Sequence, residues 1–218
     1  MRVVVAGAGR LGSQTARALA AAHNDVTLVD IDDDRLAALA DRFPARLVAG
    51  DAGDPALLER AGAYTADLLI ATTGNDDDNL VISLLAKRRF AVPRVAARVN
   101  DTENTWLFDH RWGVDTAVPT AAPLISLIEE ATEAADTVAL LRLSRAGVTV
   151  IETAITAHSR TAGRPLAEVR LPSGTVVATV VRGGRPTVPD PRLRLAPGDE
   201  LLLVSHSATE DEVRAAFQ

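Results

Sequence analysis

The chain opens with Met1-Arg2-Val3-Val4-Val5-Ala6-Gly7-Ala8-Gly9-Arg10-Leu11-Gly12, a β-branched apolar run that passes straight into G-x-G-x-x-G. A strand that ends on such a loop and continues into a helix is the first half of a parallel βαβ unit. Gly7 takes the tight turn after the strand, Gly9 leaves no side chain between the backbone and a pyrophosphate, and Gly12 lets the helix pack closely on the strand. Residues 10–22 carry helical spacing, so the unpaired N-terminal N–H groups and the positive end of the helix dipole face the phosphate position. The loop holds an anion without a lysine.

The glycine pattern alone arises by chance in Gly/Ala-rich chains, so its context decides. Asp25-Val26-Thr27-Leu28-Val29-Asp30 reads as a second strand that ends in an acid 18 positions beyond Gly12. A carboxylate there accepts hydrogen bonds from ribose hydroxyls. In the following turn, Asp33 or Asp34 is expected to cap the next helix. The acids crowded after Asp30 repel a 2′-phosphate and no arginine sits directly at the strand end, so NADP is disfavoured.

Strand-like and helix-like segments alternate at short spacing from residue 1 to about 118, the pattern of a parallel sheet covered by helices on both faces. Strands are expected at Arg2–Ala6, Val26–Asp30, Arg46–Val48, Leu68–Ala71, Val95–Val99 and Thr116–Val118. Helical spacing is read at Asp33–Arg42, Pro55–Ala61, Asp76–Phe90 and Thr105–Trp112. The first of two domains, residues 1–119, is therefore a Rossmann-like, doubly wound α/β sheet. Ligands of such sheets sit at the carboxyl ends of the strands where the strand order reverses. Polar and glycine-rich turns collect there: Gly50 to Asp54, Thr72 to Asp76, and Asn100-Asp101.

Pro119 and Pro123 interrupt the alternation ahead of an apolar helix, Leu124–Ala131, so residues 120–135 read as a crossover helix and linker. Residues 136–218 show β-branched runs at Val148–Ile155, Thr175–Arg182 and Glu200–Val204, separated by Pro and Gly. A smaller, mixed α/β domain is expected. Arg182-Gly183-Gly184-Arg185 reads as a hairpin turn.

With 218 residues, 47% of them hydrophobic, the chain has material for these cores. No apolar run approaches the ~18 residues needed to span a bilayer, and the first residues form a strand rather than a secretory leader. The expected location is the cytosol. A net charge of −6 argues against a nucleic-acid partner. The basic run Lys87-Arg88-Arg89 is explained as the favoured cationic end of a helix. The chain has no cysteine, and its four histidines are scattered. Tyr64 lacks the Y-x-x-x-K partner of a hydride-transfer enzyme, so a small NAD-dependent oxidoreductase is the weaker alternative, beside a nucleotide-binding adaptor.

The motifs Val5–Gly12, Val29-Asp30-Ile31-Asp32, Gly50–Pro55, Ala71–Leu80 and Ala97–Asp101, with Arg164–Pro172 and Pro189–Leu201 later, resemble the regulator-of-conductance-of-potassium (RCK) family. They are similar to its Trk/Ktr-type cytosolic subunits of bacterial potassium uptake systems. The resemblance implies a non-catalytic regulatory subunit that binds ATP, ADP or NAD(H) and gates a membrane potassium-translocating subunit. By that resemblance Gly7, Gly9, Arg10 and Leu11 line the phosphates, Asp30 the ribose, Asp51 and Ala52 the adenine region, and Thr73 and Gly74 the edge of the site. Arg98 is a further contact or the ion-pair partner of Asp101, and Gly12 and Ile31 complete the candidate set. Arg10 is suited to pair with phosphate oxygens of its own or a neighbouring subunit's nucleotide.

Family members that bind a cation beside the phosphates often carry a Glu after the proline of the sixth strand. Thr120 follows Pro119 here, and no metal ligand is assigned. Some relatives bind cyclic di-AMP between C-terminal domains, but no phosphate loop in this sequence assigns it. The resemblance further implies homo-oligomers, dimers assembled as an octameric ring or a tetramer, held at the inner face of the membrane through the partner. Leu124–Ala131 is either a dimer contact or a helix buried within one subunit.

Overall fold

The computed structural model describes residues 1–41, 43–132, 135–143 and 146–218. The chain divides into two compact units, Met1–Ala121 and Ala122–Gln218.

In the first unit, β1 (Arg2–Ala6), α1 (Arg10–Ala21), β2 (Asp25–Asp30), α2 (Asp33–Ala40), β3 (Arg46–Ala49), α3 (Pro55–Arg60), β4 (Leu68–Ala71), α4 (Asp76–Arg88), β5 (Val95–Val99) and β6 (Thr116–Pro119) follow in order. The strands form one sheet, β3-β2-β1-β4-β5-β6, and every pairing is parallel. Strand order reverses between β1 and β4, which opens a crevice at their carboxyl ends.

Val3 to Ala6 are at most 2% exposed, as in a strand covered on both faces. Alternation sends Val3 and Val5 into one helix layer with Ala16, Val26, Leu28 and Leu36. It sends Val4 and Ala6 into the other with Val29, Leu57, Leu58 and Leu69.

Local chemistry sets the helix starts. Asp54 accepts from Ala56 N–H and Pro55 begins α3. Asp32, rather than the expected Asp33 or Asp34, caps α2 by accepting from Arg35 N–H. Asp33 and Asp34 already lie inside the first turn. Helix α4 begins with Asp76, Asp77 and Asp78 and ends with Lys87 and Arg88, matching its dipole at both ends. Arg42, the last residue of the expected second helix, lies outside the described residues.

The expected helix Thr105–Trp112 is instead two 3₁₀ segments, Thr102–Leu107 and His110–Trp112. The Asp109 carboxylate accepts from Arg111 N–H and Nε, which restarts the chain after Phe108, and Gly113 ends it at φ 78°. This local side-chain bonding outcompetes a continuous helix.

The second unit contains α5 (Ala122–Ala131), β7 (Thr137–Leu143), β8 (Val148–Ala154), β9 (Thr175–Arg182), β10 (Arg185–Thr187), β11 (Asp199–Ser205) and α6 (Glu210–Phe217). Its sheet, β10-β9-β11-β8-β7, is antiparallel throughout. Gly183 and Gly184, both at positive φ, turn β9 into β10. Strands β7 and β10 and helix α6 add to the three strands read from the sequence. Helix α6 starts with a capping box, Thr209 with Glu212, and buries Val213 and Phe217 against Ile151, Leu201 and Leu203.

An ion pair fastens this second sheet. Asp199 is fully buried and accepts from Arg182 Nε at 2.6 Å, Arg182 Nη2 at 2.7 Å and Ala196 N–H at 2.8 Å. Arg182 Nη2 also reaches Arg194 O, so β9, β11 and the connection before β11 are tied at one point. Burial pushes the Asp199 carboxyl up, but the hydrogen bonds from Arg182 and Ala196 and the guanidinium charge outweigh it and hold the group below the ordinary carboxyl range.

A carboxyl whose folded-state value is depressed contributes stability above its ordinary value of 3.8, and that contribution is lost as pH falls through the lower folded-state value. Urea unfolding stepped through acidic pH is expected to show Asp199→Asn less stable than the parent at pH 7 by about 2 kcal/mol, since Arg182 is half exposed and screened. The difference is expected to shrink below the ordinary carboxyl value.

Candidate functional site

A cleft of about 620 Å³ opens at the carboxyl ends of β1 to β4. It is lined by Gly7, Gly9 and Arg10 after β1, by Val29 to Ile31 at the end of β2, by Arg35 of α2, and by Gly50 to Ala52 after β3. Thr72 to Asn75 follow β4, Asp78 and Ile82 come from α4, and Arg98 from β5.

The turn from β1 into α1 leaves no spare room on one side. Gly7 lies at φ +102°, and a Cβ there would stand 2.8 Å from Thr72 O. A Cβ on Gly12 would stand 1.8 Å from Gly7 O and 2.6 Å from Thr72 Oγ1. Gly7 N–H donates to Val29 O at 2.7 Å, and Thr72 Oγ1 donates to Ala6 O at 3.0 Å, so the loop is sewn to both neighbouring strands. On the other side, a Cβ at Gly9 would have nothing within 4 Å.

Gly9 is also the N-cap of α1, in extended conformation and without a side-chain cap, and the first turn carries no acid. Ser13 N–H to Gly9 O is the first bond of the helix. The amides of Arg10, Leu11 and Gly12 therefore have no carbonyl four residues back within the helix, which is the donor arrangement of an anion site.

Across the cleft, the carboxylate of Asp30 is 6% exposed. Its Oδ2 accepts from Ala8 N–H and its Oδ1 from Asp32 N–H at 2.9 Å, so the glycine loop and the turn after β2 are braced on one acid. Arg35 Nη1 lies 3.3 Å from Oδ2 and 3.4 Å from Oδ1, and Arg35 Nη2 lies 3.1 Å from Asp32 Oδ2.

The far wall is held by two polar side chains. Asn79, fully buried, accepts from Thr73 N–H and donates to Arg98 O at 3.0 Å. Asp76 accepts from the amides of Asn100 and Asp101 and from the side chains of Asn100 and Asn104. Burial pushes the Asp76 carboxyl up, while these four bonds, led by that from Asn104, outweigh it and hold it below the ordinary carboxyl range.

Arg98 Nε is the one buried side-chain polar atom among the described residues without a hydrogen-bond partner. No ion pair joins Arg98 to Asp101 among those residues. Asp101 instead accepts from Glu103 N–H and starts a 3₁₀ segment. An orphaned guanidinium nitrogen in a cleft with an uncapped helix start suits a ligand that carries negative charge.

Ten of the twelve residues singled out in the sequence line this cleft: Gly7, Gly9, Arg10, Asp30, Ile31, Asp51, Ala52, Thr73, Gly74 and Arg98. Leu11, half-buried, and Gly12, buried beneath the loop, do not. The candidate set did not include Arg35, Asp78 or Ile82, and Asn75 was placed only within the polar turn after β4. Asn75 and Asp78 stand in the polar segment after β4, and Arg35 is five positions past Asp30, where a helix start brings it back over the acid. An arginine therefore does stand at the strand end, although no arginine is adjacent in sequence. Among the described residues, no three His, Cys, Asp or Glu side chains gather as metal ligands, and no helix is long and apolar enough to cross a membrane.

Residues 3–120 match the TrkA-N domain family and residues 150–218 the TrkA-C domain family. The chain is 42% identical over 214 residues to the Trk system potassium uptake protein TrkA of Mycobacterium tuberculosis, which covers 98% of this chain and 96% of that one. Among solved structures, the GsuK channel bound to NAD covers 99% of this chain with a TM-score of 0.61 and 19% identity, a likeness of fold alone. GsuK bound to ADP covers 61% of this chain with a TM-score of 0.54 and 25% identity. This chain spans 39% and 34% of those two longer chains.

The unequal crowding around the glycines gives opposite expectations for two substitutions. Gly12→Ala must push the Gly7 carbonyl aside and is expected to cost about 2 kcal/mol or more in denaturant unfolding, despite the better helix propensity of alanine. Gly9→Ala, with extended backbone and open space, is expected within about 0.5 kcal/mol of the parent.

Proposed function

The chain belongs to the Trk-type RCK family, and from that premise we propose that it is a regulatory subunit of potassium transport whose first unit binds an adenine nucleotide: ATP, ADP, NAD or NADH. The observation that carries this reading is one cleft with the uncapped start of α1 at Gly9 on one side and the buried Asp30 carboxylate on the other. Helix N–H groups and the dipole attract phosphates, and a buried carboxylate takes ribose hydroxyls.

In this reading the backbone at Gly7 and Gly9 and the free amides of Arg10 and Leu11 hold the phosphates. Arg10, exposed at the rim, and Arg98, with its unpartnered Nε, add charge-assisted bonds. Asp30 orients the ribose, with Ile31 beside it. Asp51 and Ala52 border the adenine, and Thr73 and Gly74 close the edge. The described lining includes no histidine, lysine or tyrosine, which supports binding rather than hydride transfer. Neither a metal nor cyclic di-AMP has an assigned site in this proposal, and NADP remains disfavoured by the acids around Asp30.

Regulation follows from differential affinity. A nucleotide shifts the balance between two arrangements of a subunit ring only as far as it binds them unequally, and couplings of about 1–3 kcal/mol, roughly 5–150-fold, are typical. The ions cross through a separate membrane potassium-translocating subunit, to which this chain is peripheral at the inner face. Leu124, Ile125, Leu127 and Ile128 of α5 are each at least 51% exposed. Of the two roles open to this helix, that exposure favours contact with a second copy of the chain.

Two outcomes test the proposal. In thermal unfolding of the purified chain, ATP, ADP, NAD or NADH is expected to raise the midpoint, binding at 100-fold excess over Kd being worth about 2.7 kcal/mol. Gly9→Asp is expected to fold normally and lose the shift, because it sets a carboxylate in the open phosphate position. A parent chain that responds to none of the four contradicts the reading. Light scattering is expected to find the parent as a dimer or larger and Leu127→Glu shifted toward the monomer; unchanged mass would remove α5 from the interface.

A further inference from the structure

We infer that Arg35 is a built-in competitor for the carboxylate that reads the ribose, so that a nucleotide must displace its guanidinium to bind. The inference rests on the proposed role of Asp30 and adds a residue that sets affinity at the same site.

A carboxylate offers about four acceptor positions. At Asp30, Oδ2 is taken by Ala8 N–H and Arg35 Nη1, and Oδ1 by Asp32 N–H and the same Nη1. A ribose diol brings two further donors to an acid that is already filled. The two amides belong to the turns that build the site and do not leave without unfolding them. The guanidinium is the movable donor.

Three features make Arg35 displaceable. Its bonds to Asp30, at 3.3 and 3.4 Å, are longer than a well-formed charge-assisted bond. Its side chain is 48% exposed, so water can take over its donors. Its Nη2 has a separate anchor on Asp32 at 3.1 Å, so the guanidinium can leave Asp30 without losing every partner. The apparent affinity is the intrinsic affinity multiplied by the fraction of the protein that is competent to bind. If the closed form holds about two thirds to nine tenths of the molecules, the ribose contribution is weakened roughly three- to tenfold.

The test compares ADP with 2′,3′-dideoxy-ADP by titration calorimetry on the full chain. Any attraction between Arg35 and the phosphates acts on both ligands and cancels in the ratio of their Kd values. In Arg35→Ala the preference for ADP over the dideoxy compound is expected to rise by about three- to tenfold over the parent. In an Asp30→Asn background, the same substitution is expected to leave the ratio unchanged. A ratio that stays level or falls in Arg35→Ala on the parent background overturns the inference. So does a rise that persists without the Asp30 carboxylate. Failure of the parent to bind ADP overturns both this inference and ADP binding by the site, whereas ADP binding with a level ratio removes Arg35 alone.

Discussion

The turn from β1 into α1 depends on two glycines that pack against each other. Gly12 passes so near the Gly7 carbonyl that a single added carbon would stand 1.8 Å from it. That contact fixes the angle at which α1 leaves β1, and the rest of the cleft is hung on it. It sets Ala8 N–H against Asp30, places the Gly7 carbonyl beside Thr72, and aims the uncapped helix start into the crevice where strand order reverses. A loop held this tightly on one face and left open on the other at Gly9 is preorganised for a ligand with little left to order on binding.

Asp30 has a double duty that bears on regulation. The acid is a structural bracket for two turns and, in the proposed function, the ribose contact. The conformation of the glycine loop and the occupancy of Asp30 are therefore linked: a ligand that pulls on the carboxylate pulls on Ala8 and Asp32 as well. Asn79 and Asp76 brace the opposite wall, Asn79 joining the turn after β4 to Arg98 in β5 and Asp76 joining the start of α4 to Asn100 and Asp101 after β5. A site braced through shared side chains is a physical means for a small molecule to bias the arrangement of whole elements.

Much of this was legible in the sequence because it depends on short-range chemistry. The apolar run before Gly7, the acid closing β2 and the Gly/Asp-rich turns each declare their geometry within a few residues, and ten of the twelve residues that these features and the family resemblance together named line one cleft. What was missed depends on competition or on distance. Thr105–Trp112 has helical spacing, but Asp101 and Asp109 bond the backbone locally and win. Thr-Val-Ala-Leu-Leu-Arg-Leu, now β7, fits strand or helix equally, and its pairing with β8 decides it. Arg35 was passed over because its importance arises only when the first turn of α2 folds back over Asp30. The capping box of α6, Thr209 with Glu212, was a readable signal left unread.

In the proposed function a nucleotide enters the cleft of the first unit and is held by the start of α1. Hydrogen–deuterium exchange of the full chain with and without saturating ADP or NAD tests it directly, since each peptide reports its own protection. Slower exchange is expected at residues 8–13 and 72–76. Unchanged exchange at both segments, or protection confined to residues 122–218, would contradict the proposed function.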